Sequence, residues 1–124
     1  MNFKLIIAIV LITILVAGGI AQEIWLEKTL DKLEEKILNI PPEQDGNYDF
    51  NKIGELYHWW KGKYGALELL LPHTLLYTID SNFGELVGAV EAEDGKTAQA
   101  LLKRILYDCR VLATASDIRV GNVF

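Results

Sequence analysis

Cysteine is almost missing from this chain of 124 residues: Cys109 is the only one. A lone cysteine closes no internal disulfide, so no disulfide framework supports the fold. Cys109 falls on an apolar helical stripe, and the expectation is a buried thiol that packs as a small hydrophobe. Histidine is nearly as scarce, with only His58 and His73. Basic residues are outnumbered: 12 Lys and Arg face 17 Asp and Glu, for a net charge of -5. Such an excess of acid makes the chain a poor candidate for binding nucleic acid or an anionic lipid surface, which need basic patches. The chain also lacks a Gly-rich phosphate loop, a Ser elbow and paired cysteines at zinc spacing. It has no internal repeat, no low-complexity tract and no convincing strand pair.

Charge is absent altogether from one stretch. Leu5 to Ala21 reads LIIAIVLITILVAGGIA, with Thr13 as its only polar break. Its 17 residues lie at the short end for spanning a hydrocarbon layer of about 30 Å. Eleven of them are Leu, Ile or Val, which together favour insertion by about 3 to 7 kcal/mol before the other residues are discounted. Lys4 and the α-amine precede the run, while Glu23 and Glu27 follow it. That asymmetry predicts a cytoplasmic N-terminus and an extracytoplasmic part over residues 22–124. Trp25 falls where an interfacial aromatic belongs. All 17 acidic residues and all but one of the 12 basic ones follow the run, leaving that part at about -6. The expected division is a transmembrane anchor over residues 1–21 and one helical domain over 22–124, with lipid contact through residues 5–21.

The competing reading is a cleaved signal peptide. Gly19-Ile20-Ala21 puts small residues where a signal peptidase reads them, so a cut before Gln22 is the alternative. The minimal basic segment argues against it, as does the absence of a helix breaker after Ala21. No cysteine stands directly at the end of the run, which excludes a lipoprotein anchor.

Beyond the run the pattern is helical. Leu26, Leu30, Leu33, Ile37 and Ile40 step by 4, 3, 4 and 3. Glu23, Glu27, Asp31 and Glu35 form an acidic stripe beside them, with Lys28, Lys32 and Lys36 next to it. A solvated helix face is the plain reading of these charges; a dimer seam is the sharper one, and two heptads are too few to establish it. Pro41-Pro42 ends this helix, and residues 42–47 read as a loop. A second helix starts with Asp49 as N-cap and runs to about Leu71, with Ile53, Leu56, Trp60, Tyr64, Leu67 and Leu71 on one face. Gly54, Gly62 and Gly65 each weaken it by up to about 1 kcal/mol relative to Ala, so it depends on packing or on a close approach at those glycines. Pro72 marks a break. A third helix carries Leu76, Ile79, Phe83, Leu86, Val87 and Val90. Asp94 caps a fourth, with Ala98, Leu101, Leu102, Ile105, Cys109 and Leu112. Residues 116–124 carry no helical stripe and are expected to form a non-helical tail. The fold class is all-α: one transmembrane helix, an amphipathic stalk, then an antiparallel hairpin or bundle.

Candidate chemistry is thin. Glu55 and His58 stand at i, i+3, the spacing of a carboxylate-bridged metal site in a bundle, but that site needs the motif twice and further carboxylates. His73 follows Pro72 at a helix junction, where capping or bonding to the loop backbone is the expected role. No nucleophile or second titrating group is visibly linked to it. The expectation is therefore no catalytic residue, no metal and no cofactor. Trp59 and Trp60 point about 100° apart on a helix. Trp60 lies on the apolar stripe and is assigned to the core. Trp59, flanked by Tyr57 and Lys61-Gly62-Lys63, is the best candidate for a half-exposed contact. The candidate interaction surface comprises Trp59, Tyr57, His73 and Phe124.

The Leu-rich charged helix, Trp60, His73, Ile79-Asp80 and the terminal Asn122-Val123-Phe124, taken together behind an apolar N-terminus, resemble an uncharacterised Firmicutes family of small membrane-anchored helical proteins that end in Asn-Ile/Val-Phe. The resemblance spans nearly the whole chain. The family's histidine is usually followed by acidic residues, whereas Thr74-Leu75 follow His73 here. The resemblance implies a Gram-positive envelope setting, no established activity, and a multi-pass membrane protein as partner. The leading expectation is a non-enzymatic accessory module at the cell membrane, with homo-oligomerisation open. The alternatives are an exported helical binding protein cut before Gln22, or a metal-binding protein using Glu55, His58 and His73.

Overall fold

The computed structural model describes the backbone of residues 2–123 and the side chains of residues 2–114. Four helices make up the fold: α1 (Phe3–Leu38), α2 (Phe50–Glu68), α3 (His73–Glu91) and α4 (Gly95–Val123). No strand occurs among the described residues. The apolar run and the amphipathic stalk are one unbroken helix of 36 residues, about 54 Å long. Asn2 caps its start by accepting the Lys4 backbone N–H. Its two halves, uncharged and amphipathic, differ also in what they touch. Leu5 to Ala21 is exposed throughout, whereas Leu26, Thr29, Leu30, Leu33 and Ile37 are buried against the other helices. Thr29 is the one polar member of that face, and its hydroxyl donates to the Trp25 carbonyl at 2.7 Å.

The helices run antiparallel to their chain neighbours. Tyr57 meets Phe83, and Trp60 donates to Asp80; α3 therefore descends as α2 climbs. A three-residue turn reverses the chain between α3 and α4. Glu93 sits there at φ 55, a left-handed conformation that a non-glycine residue adopts at a cost. Asp94 N–H donates back to the Ala89 carbonyl. The Asp94 carboxylate then accepts from the Thr97 N–H and hydroxyl, capping α4 as expected. Those two bonds hold its carboxyl below the usual range. The loop after α1 rests on the start of α4: a Cβ at Gly95 would overlap the Gly46 carbonyl. Further along, Arg110 of α4 pairs with Glu34 of α1 at 3.0 Å. These two contacts fix α1 and α4 as antiparallel.

The buried set follows the apolar stripes of all four helices, with Trp60, Phe83, Leu33, Ile53 and Ile105 among the fully enclosed side chains. Three local expectations are corrected. α2 stops at Glu68 rather than Leu71, because Pro72 disfavours helix at the residue before it; Leu69 and Leu70 close the end with i→i−3 bonds. The glycines of α2 serve no close approach, since a Cβ at Gly54, Gly62 or Gly65 would meet nothing within 4 Å. That leaves packing to hold this helix. The expected non-helical tail is helix as far as Val123. No proline interrupts it, and adding a residue to an existing helix costs far less than starting one.

Cys109 is buried at 2% exposure. Burial pushes its thiol from 9.0 up to about 12, and the nearby Asp108 and Glu34 carboxylates add to this. The folded state thus favours the protonated thiol. The stability this contributes is fully present below about pH 9 and is lost as pH rises through about 12. Alkylation of Cys109 at neutral pH should therefore track global unfolding in a denaturant series. Rapid labelling without denaturant would contradict the burial.

Candidate interaction surface

Adjacent positions on α2 send Trp59 and Trp60 in directions about 100° apart. Trp60 points into the core. Its ring stacks on Phe83 at 5.3 Å and meets Tyr64 edge-on at 6.0 Å. Its Nε1 donates to Asp80 Oδ1 at 3.0 Å. Lys61 reaches the same carboxylate at 2.9 Å and lies over the Tyr57 ring at 5.4 Å and the Tyr64 ring at 5.6 Å. The hydrogen bond to Asp80, ahead of lesser contributions, raises the Lys61 ammonium above its ordinary range. Lys61 is well exposed, so solvent screens much of this pair. The group closes the α2–α3 seam and has a structural role.

Trp59 faces toward α1 and is half-buried. Lys36 of α1 lies over its ring at 5.4 Å, and Lys63, one turn along α2, at 5.9 Å. Both lysines are half-buried themselves. Their methylene stems cover apolar surface while the ammonium groups reach solvent. Beside Trp59 the surface dips into a shallow open hollow. Phe50, Gly54, His58 and Trp59 line it, with Asn51 and Glu55. Phe50 is 49% exposed, and no side chain covers Gly54. Two aromatic rings at an open rim, beside Glu55 and His58, suit an apolar or aromatic group.

Of the residues expected at an interaction surface, Trp59 sits in this hollow. Tyr57 lies apart, half-buried against Phe83 in the α2–α3 seam. His73 opens α3 and is exposed. Its expected capping role is not found, since the start of α3 has no side-chain cap. Phe124 lies outside the described residues. Glu55 and His58 both stand on the hollow's wall, yet no three His, Cys, Asp or Glu side chains gather into a metal-binding group among the described residues. Sequence reasoning missed Phe50 and Lys36. Phe50 follows the Asp49 N-cap and is off the apolar stripe, which was a usable sign of exposure. Lys36 belongs to a different helix and gave no local sign. No family model matches this chain, and none of the curated proteins or solved structures is detectably similar to it.

Proposed function

We propose that this protein is a single-pass, membrane-anchored interaction module without enzymatic activity, its helical domain held outside the cytoplasmic membrane. The observation that carries this reading is α1. One half is apolar and touches nothing in the molecule; the other half is a structural wall of the bundle. A helix of that design fixes the domain rigidly at the membrane plane. Helix continuity through Gly19-Ile20-Ala21 also supports retention over cleavage, because a peptidase takes its substrate as an extended segment. Lys4 on one side and the acidic domain on the other support the outward orientation. The Gram-positive envelope setting implied by the family resemblance belongs to the same proposal.

The hollow at Trp59 is the proposed contact for a partner in the same membrane, such as a multi-pass protein. A photo-crosslinking residue at Phe50 in full-length protein should then give one dominant adduct in native membranes. Trp59→Ala should reduce that adduct strongly while lowering the thermal midpoint much less than truncation of a fully buried aromatic would, since Trp59 is only half-buried. Equal crosslinking with and without Trp59, or none above background, would remove the hollow from the proposal.

A further inference from the structure

The far end of the bundle carries an apolar tip at the level of the anchor's exit. The tip is the α2–α3 connection and the first turns of α3. No Asp, Glu, Lys or Arg occurs from Leu69 to Ile79, and His73, Thr74 and Thr78 are its exposed polar residues. Leu69 is 85% exposed, Leu75 is 36% and Tyr77 is 70%, while Leu71 and Leu76 beneath them are buried and hold the tip to the core.

Its height follows from contacts already described. Lys36 over Trp59 sets α2 against α1, and the two helices run in opposite directions. From Trp59 to Leu69 is about 15 Å at 1.5 Å per residue. The same distance back along α1 from Lys36 reaches Leu26. Leu26 stands only about 7 Å beyond Ala21, where the apolar run ends. The headgroup zone on each side of the hydrocarbon is about 5–7 Å deep. Leu69 and Trp25 thus lie together at the edge of the bilayer that α1 crosses.

We infer that the tip formed by Leu69, Leu75 and their neighbours is a second membrane contact, seated in the interfacial layer of the bilayer that α1 spans. This rests on the anchored reading of α1. Lipid is the occupant because the tip stands only about 7 Å beyond the end of the apolar run, within reach of the interfacial layer, and presents exposed leucines with no Asp, Glu, Lys or Arg between Leu69 and Ile79. Attraction to anionic headgroups plays no part, so the contact should be the same in zwitterionic and anionic bilayers. The domain is then held at two points, which restrains its rotation about the anchor and presents the Trp59 hollow at a fixed attitude to neighbours in the membrane.

The test uses full-length protein in phosphatidylcholine vesicles, with a polarity-sensitive fluorophore on a single introduced cysteine. Buried Cys109 stays unlabelled in the folded chain. Three variants are compared: Leu69→Cys at the tip, Asp45→Cys at the opposite end of the bundle, and Ile12→Cys within the apolar run. Headgroup spin-labelled lipid should quench Leu69→Cys and leave Asp45→Cys unquenched, while lipid spin-labelled deep in the chain should quench Ile12→Cys. Ile12 quenched with Leu69 as bright as Asp45 would overturn the tip contact and leave the anchor standing. Ile12 unquenched would overturn both. A blue-shifted Leu69 probe that spin-labelled lipid fails to quench would mean that protein, such as a second copy of the chain, covers the tip, and would equally overturn the proposal.

Discussion

Full-length protein carrying Trp60→Ala should lose a large share of the stability of its helical domain, with a thermal midpoint lower by roughly 15–30 °C. Trp60 is 1% exposed, so truncation removes an entire buried indole and leaves a cavity among Phe83, Tyr64 and the stripe residues of α2. Burial loss and cavity together cost about 3–5 kcal/mol for such a change. A domain of this size has only about 5–15 kcal/mol in total. Two further losses add to the same sum. The indole N–H no longer meets Asp80, and α2, already weakened by Gly54, Gly62 and Gly65, has little intrinsic helicity to fall back on. Trp60→Phe separates these effects. It keeps a stacked ring against Phe83, removes the bond to Asp80, which Lys61 continues to neutralise, and gives up only part of the buried indole volume. Its cost should be about 1–2 kcal/mol. Circular dichroism of both variants through a thermal ramp reads the difference. A midpoint for Trp60→Ala within a few degrees of the parent would show that Trp60 is not a core residue.

Trp60 also marks what the sequence made legible and what it did not. The stripe Ile53, Leu56, Trp60, Leu67 put its ring in the core, and the structure does the same, because a 3.6-residue period is a local property. The same holds for Leu26 to Ile37, for Leu76 to Val90, and for Cys109. The Asp80 contact was not legible: it joins residues twenty apart, and only the register between two helices brings them together. Asn82 shows a different limit. It is 5% exposed with its Nδ2 unpartnered, yet a polar residue beside Phe83 gave no reason to place it inside. Trp59 was read correctly as half-exposed, but one of the two lysines over its ring, Lys36, comes from α1. The tip was missed for a third reason. Leu69-Leu70-Leu71 reads as the end of an apolar helix until Pro72 is seen to release Leu69 to the surface.

The anchor admits a sharper experiment than fractionation of the parent alone. Val10→Arg combined with Ile14→Arg should move the chain from the membrane pellet to the soluble fraction. Each arginine near the centre of a spanning helix opposes insertion by about 2.5–3.5 kcal/mol, and each also removes one favourable aliphatic residue. Together they add about 5–7 kcal/mol against the roughly 3–7 kcal/mol with which the apolar run favours insertion. The balance turns unfavourable, and the short length of the run leaves no room to shift the charges out toward the headgroups. Val10 and Ile14 are 50% and 61% exposed and belong to no packed face. The bundle should therefore unfold at the parent's midpoint, which separates loss of anchoring from loss of structure. Protease added to cells stripped of their wall supplies the orientation: the parent should be digested from outside down to a short protected N-terminal piece. If the double variant still sediments with membranes and resists alkaline extraction, α1 is not what holds the protein there, and the apolar tip or a bound partner must do so instead.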